Sequence, residues 1–391
     1  MLDSVASELK QDADALQPQL VELRRDFHMH PEPAYQEVRT AGIAADRLRA
    51  LGMQVTTGIG GTGVVAVLEG VASGKTVMLR TDMDGVEQQD EAPGREYGSQ
   101  VPGMNHSCGH DIDLAVFLGA ASLLASRRES LNGRVAFVVQ PADEPRTGAA
   151  AMIRDGLWDL VQPDYLLSHH IAPDLDAGKI VAQGGHLWAS SDQWTIRVRR
   201  EDAAMPHVTL VAARLIDALY DAVETEAEGG IFPVNFAVFE LKGSQPRRGE
   251  AEATLELRCA TNDAELRERV LARIREVCET IGTAHAATAE IEVVEATAPI
   301  VNDVHVGAVA AEAVREIAGD AALVQDFRHA VPDDFSLMLE RAPGAMLLIG
   351  TRNEAKGLTA MWHTPEYDTD EEVLSLSAAV LAASVLRLLK A

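Results

Sequence analysis

Short β-branched runs at Val64–Leu68, Thr76–Leu79, Val135–Val139 and Tyr165–Ser168 alternate with helix-length windows at Leu114–Ala125 and Ala149–Asp155. Runs this short, bounded by turn residues, fit strands buried on both faces. Strands interleaved with helices imply a layered α/β architecture. Helical spacing at Leu2–Leu23 and Ala41–Leu51 precedes this region, with Gly52 placed as a helix cap, and the alternation resumes after Ile300 with helix Val306–Ile317, strand Ala345–Ile349 and helix Val373–Leu389. From about Trp188 the texture changes to half-polar strands, Gln193–Arg199 and Ala253–Arg258, and two long helical windows, Leu210–Val223 and Ala264–Ile281. That texture fits strands with one exposed face. The expected fold class is therefore α/β, a mixed, largely parallel sheet flanked by helices, formed by residues 1–186 and 298–391 and interrupted by an inserted α+β domain at 187–297.

Charge narrows the partners. Sixty acidic against 34 basic residues give −26 over 391 residues, which disfavours sequence-independent binding to nucleic acid or to an anionic membrane. Small molecules or other protein surfaces are expected instead. Three cysteines without regular spacing exclude a disulfide scaffold. No apolar stretch reaches the ~18 residues of a membrane span, and the N-terminus lacks the pattern of a signal peptide, so a cytoplasmic protein is expected. Gly58, Gly60 and Gly63 satisfy G-x-G-x-x-G, and Gly70–Thr76 approximates a P-loop, but both run into strands rather than the helix a phosphate site needs.

Five segments bring metal-capable residues to expected strand ends: Asp82-Met-Asp84, Cys108-Gly-His110-Asp111, Asp143-Glu144, His169-His170 and His363. Loops at strand carboxyl ends are where open α/β sheets bind ligands. A thiolate with imidazoles and carboxylates suits zinc or a neighbouring first-row metal.

These segments, with LRRDFHMHPEPAYQEVRTA at Leu23–Ala41, QPADE at Gln140–Glu144, HIAPDLDAG at His170–Gly178, AAMPH at Ala203–His207 and WHTPEYD at Trp362–Asp368, resemble the M20 metallopeptidase family. The similarity is to its aminoacylase and amidohydrolase branch, which includes hippurate and indoleacetyl-amino-acid hydrolases. The resemblance implies a catalytic domain holding two divalent ions (Zn, Mn, Co or Ni) and an inserted lid that mediates homodimerisation. It implies metal ligands at Cys108, His110, Glu144, His170 and His363, and hydrolysis of an N-acyl amino acid or short peptide-like amide with Asp143 as general base. The family's H-x-x-P selects His170 and leaves His169, with Asp82, Asp84 and Asp111, in supporting positions. Trp362, beside His363, is placed to line the pocket.

Departures from the family pattern carry their own expectations. The general base is usually Glu; Asp143 is shorter by a methylene, about 1.5 Å, and a misplacement near 1 Å can cost about 10²-fold in rate. Asp113 and Asp202 stand where the family has histidines, and Glu87 where it has proline. These added acids suggest a substrate with a cationic group, while Arg247, in a lid segment that departs from the family's N-V-I-P, is a candidate clamp for a substrate carboxylate. The alternative expectation is a divergent member that uses the same ions for a non-hydrolytic acyl-transfer, condensation or isomerisation step, or that only binds its ligand.

Overall fold

The computed structural model of the chain describes residues 2–92, 94–200, 208–226, 251–261 and 263–391, which form two compact units. The larger comprises Met1–Gly185, Val301–Phe327 and Leu337–Ala391; the smaller comprises His186–Ile300 and Arg328–Ser336, the last a segment that the sequence pattern assigns to the larger.

In chain order, α1 (Leu2–Met29), α2 (Val38–Ala50), β1 (Gln54–Ile59), β2 (Gly63–Glu69), β3 (Ala72–Asp82), α3 (His110–Ala125), β4 (Asn132–Gln140), α4 (Gly148–Arg154), α5 (Leu157–Leu160), β5 (Tyr165–Asp176) and β6 (Ile180–Val181) come first. The strand β7 (Gly185–Trp188) leads into the smaller unit, with β8 (Ser191–Arg200), α6 (Val208–Glu226), β9 (Ala251–Cys259), α7 (Ala264–Ala284) and β10 (Thr288–Thr297). Then β11 (Ile300–Asn302), α8 (Val304–Ala318), β12 (Leu323–Val324), α9 (Phe335–Leu339), β13 (Gly344–Arg352) and α10 (Val373–Leu388) complete the chain.

Eight strands form the main sheet in the order β1, β2, β4, β3, β5, β13, β6, β12. Its middle, from β4 through β3 and β5 to β13, is parallel, and β1, β2 and the β13–β6 pair add antiparallel contacts. Alternation along each strand assigns two faces. Val77 and Leu79 of β3, Val135, Phe137 and Val139 of β4, Leu167 and Ile171 of β5, and Leu347 and Ile349 of β13 share one core with α1, α2, α3, α8 and α10. Helix α3 is apolar on nearly every side and correspondingly buried. Gly119 lets it approach α10 closely, since a Cβ there would sit 2.9 Å from that of Ala378. The opposite sheet face carries Arg80 and Asp82 on β3, Gln140 at the end of β4, and Ser168 and His170 on β5.

The smaller unit has an antiparallel sheet in the order β10, β8, β9. Trp194, Ile196 and Val198 of β8 share a core with Leu215 and Leu219 of α6 and Ile274 and Val277 of α7. Cys259 and Cys278 are buried in that core as free thiols. Among the described residues no helix is long and apolar enough to cross a membrane.

Candidate metal centre

Helix α3 begins earlier than its apolar run suggests. Gly109, with φ 96°, turns the chain so that the helix starts at His110 and not at Leu114, which puts His110 and Asp111 in its first turn. Strand β5 likewise continues past Ser168, so His169 and His170 are strand residues and project to opposite faces. His169 faces the helical layer, its Nε2 donating to the Asp113 carbonyl at 3.0 Å. His170 faces the other way, its Nε2 3.6 Å from Cys108 Sγ.

The ligand-capable atoms of Cys108, His110 and His170 lie within 4.8 Å of one another, as do those of Cys108, Glu144 and His363. A third group, Asp82, His110 and Asp143, meets the same limit. Cys108 thus belongs to two triads. Both core imidazoles have their tautomers set by backbone: His110 Nδ1 donates to the Asp84 carbonyl and His170 Nδ1 to that of Ile171, each at 2.8 Å. In each ring the Nε2 lone pair is left to face the cluster. His110 Nε2, Asp82 Oδ1 and Glu144 Oε1 are buried without a hydrogen-bond partner, although Asp82 Oδ1 and Asp143 Oδ2 stand 3.9 and 3.8 Å from that nitrogen. Buried polar atoms are normally satisfied, so this converging set fits a cation.

The electrostatics agree. Burial, with Glu144 nearby, pushes the Cys108 thiol well up. Burial opposes a charge on His110, but Asp82 and Cys108 override it and raise its pKa well above normal. Burial opposes ionisation of Glu144 too, yet His363 and His110 hold it down at about 2. Burial lowers His170. A cation at these atoms would need Cys108 as the thiolate and His110 with Nε2 unprotonated.

Beneath the cluster lies Arg80, fully buried. It donates to Gln140 Oε1 at 3.0 Å, Asp82 Oδ2 at 2.8 Å and Asp143 Oδ1 at 2.5 Å. Asp84 accepts from the amides of Asp143 at 3.1 Å and Glu144 at 3.0 Å, and burial raises its own pKa to about 6. Asp111 points back into the protein, 2.8 Å from Arg24 Nε and 2.7 Å from His28 Nδ1. His363 Nε2 stands 3.5 Å from Glu144 Oε2, and its amide donates to the Ser107 carbonyl at 3.0 Å. The Trp362 ring centres 6.2 Å from that of His170.

The acids expected to meet a substrate separate here. Glu87 is exposed on the loop after β3. Asp113 is fully buried in the second half-turn of α3, 3.8 Å from His169 Nε2, and burial with the Asp82 charge raises its pKa well above normal. The structure places its side chain in the interior of the fold and leaves none of it exposed. Asp202 and Arg247, and the segment Ala203–His207, lie outside the described residues. Sequence reasoning missed Arg80 and Gln140. For Arg80 a signal existed, a charge inside the apolar run of β3.

A sequence model described as peptidase family M20/M25/M40 matches residues 78–387. Thermostable carboxypeptidase 2 of Saccharolobus solfataricus is 30% identical, over 96% of this chain and 96% of its own. An N-acetyl-L-cysteine deacetylase of Bacillus subtilis is 28% identical, over 96% of this chain and 89% of its own. Among solved structures, the Bacillus subtilis YXEP protein, described as a dinuclear metal binding peptidase from the M20 family, superposes with a TM-score of 0.85 at 28% identity, covering 96% of this chain and 99% of that one.

Proposed function

We propose, from the premise that the chain belongs to peptidase family M20/M25/M40, that it is a metal-dependent amidohydrolase cleaving an N-acyl amino acid or short peptide-like amide. The observation that carries this reading is the membership of Cys108 in two ligand triads, an arrangement suited to a thiolate shared by two divalent ions. Cys108, His110 and His170 would hold one and Cys108, Glu144 and His363 the other. Ions bound there would supply Lewis acidity, making water more acidic and an amide carbonyl more electrophilic.

The rest falls to the chain. Asp143 takes the proton from the attacking water and returns it to the leaving amine. Arg80 holds Asp143 Oδ1 and turns Oδ2 toward the cluster, which compensates for the short side chain by fixing its direction. Trp362 supplies an apolar wall beside His170, and Glu87 is the described acid available to a cationic substituent. The second reading, a non-hydrolytic step or ligand binding at the same ions, draws on the tie between Asp143 and Arg80, which occupies one of the two oxygens of the base.

Homodimerisation through the smaller unit belongs to the same proposal, supported by exposed Val293 and Val294 on β10. A cytoplasmic setting accords with the three free cysteines. The test begins with elemental analysis of the purified protein beside Cys108→Ala and Glu144→Gln. About two metal equivalents in the parent, reduced in both variants, are expected. Turnover of an N-acyl amino acid panel should then be abolished by Asp143→Asn and retained by Asp143→Glu. Bound metal with no turnover favours the second reading, and a parent protein that takes up no Zn, Mn, Co or Ni sinks both.

A further inference from the structure

We propose that Glu37, which lies outside the ligand set, is a positioning residue that aims Asp143 and Glu144 through the backbone of Ala142. The inference rests on the roles assigned to those two acids above. Glu37 is fully buried and its carboxylate serves three donors. Oε1 accepts from the amides of Tyr35 at 2.9 Å and Ala142 at 2.8 Å, and Oε2 accepts from the Thr62 hydroxyl at 2.5 Å. Tyr35 and Ala142 both have left-handed backbones, with φ of 62° and 50°. One oxygen therefore gathers two conformations that side-chain-bearing residues rarely adopt.

Ala142 immediately precedes the site. The next two amides, of Asp143 and Glu144, donate to the two oxygens of Asp84. Three consecutive N–H groups are thus held by two buried carboxylates, and the directions in which Asp143 and Glu144 leave the turn follow from the φ of Ala142. Released from Glu37, an alanine relaxes toward negative φ. That rotation carries Asp143 away from Arg80 and Glu144 away from Cys108 and His363. The turn has little room to absorb it, because a Cβ on Gly148 would already lie 1.7 Å from the Pro141 oxygen.

The experiment is a Co²⁺ titration of the full chain, followed by visible absorption, with thermal melting as a check on folding. Glu37→Ala is expected to weaken binding by about 10- to 100-fold, the range for groups that orient metal ligands. Glu37→Gln keeps an acceptor for Ala142 and can turn its amide to Thr62, so near-parental binding is expected. The deciding variant adds Ala142→Gly to Glu37→Ala. Glycine adopts positive φ without a Cβ penalty, so most of the lost affinity returns. A role in packing alone predicts no return, because glycine removes a further buried methyl. Parental binding by Glu37→Ala overturns the proposal, as does a loss that Ala142→Gly leaves unrepaired. If Glu37→Ala does not fold, recovery of folding in the double variant supports it and continued failure overturns it. Glu144→Gln is the control for the underlying reading: Co²⁺ binding as tight as the parent's would remove Glu144 from the ligand set, and this proposal with it.

Discussion

Arg80 is where a small change has the clearest chemical meaning. Its planar fork reaches Gln140, Asp82 and Asp143 at once, and an ammonium cannot reproduce that geometry. Arg80→Lys is expected to keep the buried positive charge but free Asp143, lowering kcat about 10²-fold with little change in KM. Steady-state kinetics on whichever N-acyl amino acid the panel identifies would check this, and a rise in KM at constant kcat would contradict it. Residue types marked the segments around Cys108, His110, Glu144, His170 and His363 as metal-capable, and the resemblance to the M20 family is what singled out those five within them. The partners that fix their directions were not legible. Arg80 and Asp143 are separated by 63 positions and Glu37 and Ala142 by 105, and no local pattern announces such contacts. The burial of Asp113 was not legible either, because a charge on a sequence carries no sign of it.

The first triad draws His110 from α3, His170 from β5 and Cys108 from the turn before α3, and Gly109 is where that turn packs against β5. A Cβ there would stand 2.4 Å from Ile171 Cγ1, and the φ of 96° disfavours any side chain. Gly109→Ala is therefore expected to push the first turn of α3 away from β5, separating His110 from His170. Strain of about 1–3 kcal/mol should appear as a lower Tm, together with reduced metal content at saturating metal; an unchanged metal content would show that the junction does not set the ligand spacing. The runs in β2, β3, β4, β5 and β13 were legible in the sequence because they are apolar on both faces, whereas the mostly exposed β1 and the two-residue β6 and β12 were not. The start of α3 was not, since a positive-φ glycine followed by His, Asp, Ile and Asp has no apolar periodicity to mark a helix. Nor was the length of β5, whose polar His169 and His170 interrupt an apolar run while its backbone stays paired with β13.

At the scale of the whole molecule, α1, the loop after β3 and the segment leading to α10 are joined by buried charges. Arg24 contacts Asp111, Asp368 and Glu371, while Arg95 contacts Asp90 and Asp368. Burial opposes the charge on Asp90, but hydrogen bonds from His28 and the Ser99 amide, with Arg95, hold it below the ordinary 3.8. Burial opposes the charge on Asp368 as well, and Arg24 and Arg95 hold it down. Groups depressed in this way stabilise the fold fully above the unfolded value and lose that contribution as pH falls through the folded one. Thermal melts of the parent should therefore decline below about pH 4, and Asp90→Asn should show a shallower decline; parallel curves would discount this group. The same scale exposes a property of the connectivity. β5 ends at Asp176 and its parallel neighbour β13 begins at Gly344, so the register at the centre of the metal-bearing sheet is closed across the whole of the smaller unit. Closing a loop costs only about 0.6 kcal/mol for each doubling of its length. The span from Asp176 to Gly344 also holds β6, α8 and β12 of the larger unit, so the indifference belongs to the insert alone: as polymer statistics, the stretch from His186 to Ile300 can be lengthened, trimmed or exchanged for another module while the ligand-bearing strands keep their register.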